Sequence, residues 1–168
     1  MEFAQGVRKG DETVFCNKYN HTVDDKGRMI IPTEYRGELA GDALAHPFYI
    51  TTNLWDPAGQ NEPCLCLWPE ESFLALRDKL RAVSGQDENN RRLKRQFFSN
   101  TQQTTLDKQG RISVIPELKE YAKIDRNVML VGADEHIEVW DYDAWARYNE
   151  KAPANENLWS ETLGSLGF

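Results

Sequence analysis

The chain of 168 residues has few of the cysteines and histidines that build disulfides or zinc sites. It contains three cysteines, which are Cys16, Cys64 and Cys66, and no C-x-x-C spacing. An odd number of cysteines without that spacing argues against a disulfide framework, and the three histidines are too scattered to complete a zinc site. We therefore expect no metal and no other cofactor, with Cys64 and Cys66 as buried or half-buried thiols on one face of a strand.

Long apolar segments and enzyme motifs are missing as well. No apolar run approaches the roughly 20 residues that span a bilayer, and residues 1–10 lack the apolar core of a signal peptide. The chain shows no Ser/His/Asp or Cys/His arrangement and no glycine loop that cradles phosphate. These absences predict a cytoplasmic protein that is not an enzyme, does not enter a membrane and has no small-molecule substrate.

A positive excess is also missing, since the formal net charge is −7. A negative protein repels phosphate, which argues against non-specific binding of nucleic acid. The acidic excess lies mainly in the C-terminal third of the chain, whereas residues 91–95 read Arg-Arg-Leu-Lys-Arg. This basic stretch has two interpretations, a solvated helix face or a contact to phosphate.

What the sequence does contain is a repeated segment. Residues 23–32 read VDDKGRMIIP, and residues 106–116 read LDKQGRISVIP. The Asp, Gly and Arg of the first copy recur 83 positions later, and the second copy has one extra residue before its proline. Two copies at this distance indicate one small supersecondary unit that is used twice.

The repeat continues downstream of the two turns. Residues 65–73, LCLWPEESF, align with residues 137–145, IEVWDYDAW, which are 72 positions later. The first half therefore holds about 11 extra residues, which we place in residues 54–63 because Gly, Pro and Asn in that stretch favour a surface loop. Trp68 and Trp140 occupy equivalent places, and we expect both to pack in the core or at a subunit interface.

Each half is predicted to contain a strand, an Asp/Gly turn, a strand, a short helix, two more strands and a helix. Four short strands cannot bury both of their faces alone. Two such halves packed face to face can close a small barrel without exposed edges. The predicted strands span residues 13–23, 28–31, 48–52, 64–68, 102–106, 111–115, 127–132 and 136–140, and the predicted helices span 33–39, 70–83, 88–99, 117–122 and 141–149. The fold class is therefore α+β, mainly β, with flanking helices.

The two turns carry the residues most typical of a binding site. An Asp side chain can accept backbone N–H groups, and Gly tolerates a positive φ, so both are expected to be structural here. The arginines have two interpretations: an ion pair with the turn Asp, or a two-donor contact to O6 and N7 of guanine. Residue type and spacing leave both open. The turn residues are Asp24, Gly27 and Arg28 in the first copy and Asp107, Gly110 and Arg111 in the second.

Both turns, with their trailing prolines, resemble the paired DxxxR motifs of MraZ proteins, which regulate the bacterial division and cell-wall gene cluster. These proteins carry two AbrB-like (SpoVT-AbrB, swapped-hairpin) modules in one chain. The likeness runs from about Phe15 to Asn149 and includes Tyr35-Arg36, VMLVG at 128–132 and IEVWD at 137–141. The resemblance implies a sequence-specific, DNA-binding transcriptional regulator, more in keeping with a repressor than an activator. It further implies a ring-shaped homo-oligomer that reads G-rich direct repeats of double-stranded promoter DNA in the nucleoid.

The resemblance also implies roles for individual residues. Arg28 and Arg111 are expected to contact bases, and Lys26, Lys108 and Gln109 are further candidate DNA contacts, although Gln109 lacks the charge of Lys26. The predicted organisation is a mobile arm over residues 1–14, a first module over 15–87, a connecting helix and second module over 88–150, and a polar tail over 151–168.

Two other functions are alternatives to this one. The first is an antitoxin-like AbrB module, although such modules are usually single and followed by a disordered tail. The second is a small β-barrel enzyme, for which His21 beside Asp24 is the nearest candidate site. A histidine at the end of a strand is a sufficient account of His21.

Overall fold

The computed structural model of the protein describes residues 14–38, 46–54, 56, 61, 63–150 and 156–167, with side chains omitted for 156–160. Nearly all of the predicted arm and most of the predicted 54–63 loop therefore lie outside the described residues. The predictions about those two segments stay predictions.

The order of strands and helices follows the prediction in both halves. The strands are β1 Lys18–Thr22, β2 Arg28–Ile30, β3 Pro47–Thr52, β4 Leu65–Pro69, β5 Gln102–Thr105, β6 Arg111–Ser113, β7 Asn127–Ala133 and β8 His136–Asp141. The helices are α1 Thr33–Gly37, α2 Glu70–Ala82, α3 Glu88–Ser99, α4 Pro116–Tyr121, α5 Tyr142–Glu150 and α6 Glu156–Ser165. The predicted fold class is confirmed: the protein is α+β, with more strands than helices among the described residues. Helix α6 lies in the segment that we expected to be a polar tail.

The strands exchange partners between the two halves. A six-stranded sheet has the order β1-β7-β8-β4-β3-β5, and β2 and β6 form a separate two-stranded ladder. Strand β1 of the first half pairs with β7 of the second, and β5 of the second half pairs with β3 of the first, always antiparallel. The halves are therefore swapped-hairpin modules, as the resemblance implied.

Repeat equivalents face each other at two places in these ladders. Met29 lies opposite Ile112 in the β2–β6 ladder, and Cys66 lies opposite Glu138 in the β4–β8 ladder. The first two residues are 83 positions apart and the second two are 72 positions apart, which are the offsets of the sequence repeat. An approximate twofold axis therefore passes through both ladders and relates the two halves.

One hydrophobic core contains side chains from both halves. Phe15, Met29 and Tyr35 of the first half and Ile112 and Leu130 of the second are all essentially inaccessible to solvent. Burying such a side chain stabilises the folded state by about 1.5–3 kcal/mol relative to leaving it exposed. Removing either half would expose the core residues of the other half, so the two modules depend on each other for stability.

The expected barrel is not closed by a continuous backbone ladder within the described residues. Instead, the side-chain amide of Gln102 joins β5 to β6. Its Nε2 donates to the carbonyl of Ser113 at 2.8 Å, and its Oε1 accepts the N–H of Ile115 at 3.0 Å. Tyr19, 83 positions earlier, instead packs edge-on against Tyr35 with ring centroids 5.0 Å apart. A polar side chain thus links β5 to β6, whereas an aromatic side chain occupies the equivalent place in the first half.

The helices cover the outer face of the large sheet with aromatic side chains. Trp68 packs with Phe73 of α2 and Phe97 of α3, and Trp140 packs with Ala144 of α5. The prediction that both tryptophans are packing residues is confirmed by their burial. The expected burial of two cysteines is confirmed as well: Cys64 and Cys66 are buried, whereas Cys16 is exposed.

Candidate nucleic-acid interface

In the first turn, the carboxylate of Asp24 organises both the backbone and the arginine. Its Oδ1 accepts the backbone N–H groups of Lys26 and Arg28, each at 2.9 Å. Its Oδ2 accepts Nε of Arg28 at 2.8 Å and lies 2.7 Å from Nη2. The N–H of Gly27 bonds to the Asp24 carbonyl at 2.9 Å, with Gly27 at φ +75°.

The second turn reproduces this geometry. Oδ1 of Asp107 accepts the N–H groups of Gln109 at 2.9 Å and Arg111 at 3.0 Å. Oδ2 accepts Nε of Arg111 at 2.8 Å and lies 2.7 Å from Nη2. Gly110 also has φ +75°. In both turns the Asp thus accepts backbone N–H groups and the Gly has a positive φ.

A close approach at each turn glycine adds to the effect of the positive φ, but only the approach at Gly27 is to backbone. A Cβ on Gly27 would lie 2.5 Å from the backbone oxygen of Val114, and a Cβ on Gly110 would lie 2.5 Å from Nη1 of Arg36. The contact at Gly27 is with backbone, which cannot move without disturbing the β2–β6 ladder. The contact at Gly110 is with the end of a flexible side chain.

The two carboxylates keep their negative charge under ordinary conditions. The hydrogen bond from the backbone N–H of Arg28 is the largest cause that holds the pKa of Asp24 below its usual range. The N–H of Arg111 acts in the same way on the pKa of Asp107. Each arginine is therefore paired with an ionised partner at neutral pH.

This ion pair does not exclude a contact to DNA. A guanidinium carries five N–H donors, and the turn Asp engages Nε and one N–H of Nη2. The edge formed by Nη1 and Nη2 has no further partner in the part of the chain that the structure describes. The side chains of Arg28 and Arg111 remain 32% and 26% exposed. Both interpretations left open by the sequence are compatible, since the Asp orients the arginine and leaves its outer edge available.

The register of the β2–β6 ladder places the two arginines on one surface. Arg28 lies opposite Ser113, and Ile30 lies opposite Arg111. The central pair, Met29 and Ile112, points into the core and is about 1% exposed. Because successive side chains alternate between faces, the four other residues share the outer face. A two-stranded ribbon of this kind has the width that the major groove of B-DNA admits.

The remaining predicted contact residues lie at the tips of the turns. Lys26, Lys108 and Gln109 are all exposed. Lys108 occupies the position of Asp25, 83 residues earlier, so the two turns differ in charge. The charged side chains of the first turn sum to zero, whereas those of the second sum to +1. The second turn is the stronger attractor of phosphate.

The basic stretch at 91–95 has a structural role in two of its members. Nη1 of Arg91 donates to the carbonyl oxygens of Gly85 and Gln86, each at 2.8 Å, while its other nitrogens bond to Glu88. Nζ of Lys94 donates to the carbonyl of Val83. These bonds fasten α3 to the end of α2, which favours the solvated helix face over a phosphate contact.

One residue at this interface was missed by sequence reasoning. Arg36 of α1 comes from the first half but lies against Gly110 in the turn of the second half. The two residues are 74 positions apart, and no local sequence pattern predicts a contact over that distance. The one sequence signal for Arg36 was the pair Tyr35-Arg36 within the resemblance.

Other kinds of site find no support in the described residues. No group of three or more His, Cys, Asp or Glu residues there has the geometry to hold a metal ion. Among the described helices, none is long and apolar enough to cross a bilayer. His21 is the nearest enzymatic candidate. Its pKa is lowered by burial, and its place near the end of β1 accounts for that burial.

Comparison with known proteins identifies the family. The model of the MraZ protein family, which is described as antitoxin-like, matches residues 14–96 and 97–162. The chain belongs to the MraZ family. The two matched segments are the two halves related by the approximate twofold axis, so the MraZ repeat and the structural repeat coincide. The family description leaves the antitoxin-like alternative open.

Curated relatives agree with this assignment. The chain is 35% identical over 154 residues to the transcriptional regulator MraZ of Desulfitobacterium hafniense (strain DSM 10664 / DCB-2), covering 92% of this chain and 99% of the relative. It is 34% identical to the one of Clostridium acetobutylicum, with the same coverage. It is 31% identical to the one of Finegoldia magna, covering 91% and 99%. These relatives are named transcriptional regulators, so the family assigns the chain to transcriptional regulation and gives the enzyme alternative no support.

Proposed function

We propose that this MraZ-family chain binds double-stranded DNA through the outer face of the β2–β6 ribbon. The supporting observation is that both motif arginines share this face, each oriented by an ionised Asp and each with a free outer edge. Arg28 and Arg111 contact guanine O6 and N7, which accounts for a preference for G-rich sites. Lys26, Lys108 and Gln109 approach the neighbouring backbone, where contacts fix the register of the protein on the duplex.

Tight binding in this proposal comes from assembly into a ring-shaped homo-oligomer. One chain is acidic overall and its ribbon carries only the two motif arginines, so a single ribbon binds weakly. Several linked ribbons on successive direct repeats gain affinity through a high effective concentration. Occupation of a promoter in this way blocks polymerase, so the regulator acts as a repressor. Its targets are the division and cell-wall genes, and its location is the nucleoid.

The proposed assembly needs an apolar surface that is not already used within the chain, and α2 does not provide one. The apolar face of α2 packs inside the chain, where Phe73 is buried and Leu76 and Leu80 contact the Trp68 cluster. Exposed apolar side chains lie instead on α3, at Leu93 and Phe98, which are each 39% exposed. We assign these to contacts with a second copy of the chain. Light scattering on the wild type and on Leu93→Glu tests this, and a monomeric wild type at micromolar concentration would rule out the ring.

The experiment that tests base reading combines protein and DNA changes. Selection from random duplexes first supplies the preferred site, and 7-deazaguanine then removes N7 from one guanine at a time. Arg28→Lys and Arg111→Lys keep the charge but lose the planar two-donor fork. Removal of one base contact should weaken binding by about 5- to 150-fold, as expected for 1–3 kcal/mol. Lys26→Ala should weaken binding less, and equally on all sequences.

The matched control is Arg81→Lys, because Arg81 lies on α2 with a side chain that is 67% exposed. In the variant whose arginine no longer contacts a given guanine, replacing that guanine by 7-deazaguanine should cause no further loss of affinity. If each 7-deazaguanine lowered the affinity of the wild type and of both lysine variants by the same factor, neither arginine would read guanine. A selected site that is absent upstream of this gene and its neighbours would refute the proposed target.

A further inference from the structure

Arg36 makes an unusual contact with the second turn. Its Nη1, Cζ and Nε atoms lie 2.5, 2.7 and 3.1 Å from the point where a Cβ on Gly110 would stand. The guanidinium therefore lies directly on the backbone of the turn that presents Arg111. Since α1 belongs to the first half of the chain and Gly110 to the second, this contact also links the two modules.

Most of the hydrogen-bonding capacity of Arg36 is unused within the described residues. Nη2 donates to Oγ1 of Thr33 at 2.9 Å. Nε is buried and has no partner, and none of the described Asp or Glu side chains forms an ion pair with Arg36. Arg28 and Arg111, by contrast, are each neutralised by an Asp. Arg36 is therefore a partly covered cation without a counter-ion among the described residues.

The first turn has no matching cation on its glycine. The nearest atoms to a Cβ on Gly27 would all belong to the backbone of Val114. Counting from the prolines that follow the two turns, the position of Arg36 is taken by Glu120 in the second half. The first turn has its own additional cation in Lys26, and the second turn has Gln109 there. Arg36 thus places a further positive charge against the second turn, in addition to that of Lys108.

We propose that Arg36 binds a DNA phosphate beside the second turn, an inference that rests on the proposed function. The ligand is a backbone phosphate oxygen and not a base, because Arg36 lies on α1 and not on the outer face of the β2–β6 ribbon. Phosphate contacts from such positions hold a reading element in register without adding sequence preference. The uncompensated charge and the N–H groups of Nη1, which have no partner among the described residues, are the features that a phosphate would satisfy; the buried Nε is out of its reach.

The test measures affinity against salt concentration for two duplexes, one with the selected site and one with the same bases shuffled. Arg36→Gln should lower the affinity for both duplexes by the same factor and leave their ratio unchanged. The slope of log K against log salt should become shallower by about 0.9 for each phosphate contact that the substitution removes. Arg36→Lys should retain most of the slope, and Arg81→Gln should leave it as in wild type.

A purely structural role for Arg36 has a different signature. If Arg36 only supported the turn, Arg36→Gln would reduce discrimination between the duplexes, because Arg111 would be misplaced, while the slope per chain stayed unchanged. That result, or unchanged binding in a folded variant, overturns the proposal. Arg36→Met keeps an unbranched cover over Gly110 and replaces Arg36→Gln if the latter melts early. If the wild type itself fails to distinguish the duplexes, the proposed function fails independently of Arg36.

Discussion

Asp24 and Arg28 form a closed unit in which both carboxylate oxygens hold parts of the same arginine, Oδ1 its backbone N–H and Oδ2 its guanidinium. Asp107 and Arg111 form the same unit. The arginine is therefore held in position without DNA, so the proposed contact would cost less side-chain entropy than one made by a free arginine.

This unit predicts how substitutions of Asp24 behave. Asp24→Ala removes acceptors from two backbone N–H groups and from Arg28, and it should lower both Tm and DNA affinity. Asp24→Asn keeps an acceptor for the backbone but not the charge, so it should lower Tm less than alanine does. Thermal melts and gel-shift titrations on the same preparations check this. An alanine variant with wild-type values for both would contradict the assigned role of the carboxylate.

The lowered pKa of Asp24 predicts a pH dependence with a defined sign. A carboxyl whose folded pKa is depressed contributes stability that is complete above its unfolded pKa, about 4, and is lost as pH falls through the folded value. The difference in Tm between wild type and Asp24→Asn should therefore be constant from about pH 7 to pH 5 and shrink below about pH 4. A difference that grows on acidification would have the wrong sign.

The two turn glycines provide a matched pair of substitutions. An alanine at φ +75° costs about 1–2 kcal/mol at either position. Gly27→Ala should cost more than Gly110→Ala, because its Cβ meets the backbone of Val114 and that of Gly110 meets the movable side chain of Arg36. Denaturant unfolding measures both. Equal losses of unfolding free energy would show that the backbone at Val114 moves away from an added Cβ as easily as the side chain of Arg36 does.

A buried hydrogen bond outside the interface predicts a stability loss without a binding loss. Nε1 of Trp68 donates to Oγ1 of Thr51 at 3.0 Å, and both residues are buried. Thr51→Val leaves this N–H without a partner and should cost about 1–3 kcal/mol, whereas Thr51→Ser keeps the acceptor and should cost less. Calorimetry decides between them. If valine were the less damaging substitution, the hydrogen bond would not contribute to stability.

Thiol labelling and chelation test the predicted absence of a metal. Cys16 is exposed and the other two cysteines are buried, so iodoacetamide should modify one thiol in the native protein and three in urea.

Because the described residues contain no metal-binding cluster, EDTA should leave DNA binding unchanged at constant ionic strength. Loss of binding with the fold intact would reveal a metal that neither the sequence nor the described residues predict.

The order of elements could be predicted because the repeat, the turn residues and the alternation of apolar side chains are all local signals. Where the prediction failed, a non-local or single-residue effect was responsible. Among the described residues the first strand begins at Lys18, because Asn17 adopts φ 69° and separates it from the single bridge at Phe15. No apolar pattern signals such a residue. The predicted start at residue 13 lies outside the described residues.

In the candidate site, too, the local features could be predicted and the non-local ones could not. Asp, Gly and Arg at fixed spacing identified both turns, because their chemistry is contained in five consecutive residues. Arg36 on Gly110 and Gln102 bridging β5 and β6 both depend on contacts between segments that are distant in the sequence. The tail helix α6 was not expected because the segment has only scattered apolar residues.

The pairing of β2 with β6 inside one chain gives the proposed recognition surface a direction. A homodimer of identical modules would carry two identical turns around a true twofold axis, which matches a palindrome. Here the two halves of the surface come from separate segments of one chain and differ in sequence: Ile30 corresponds to Ser113, and Lys26 corresponds to Gln109. Because its two halves differ, this surface cannot be rotated by 180° on its DNA site and still make the same contacts. Such polarity suits repeats that all run the same way along a promoter.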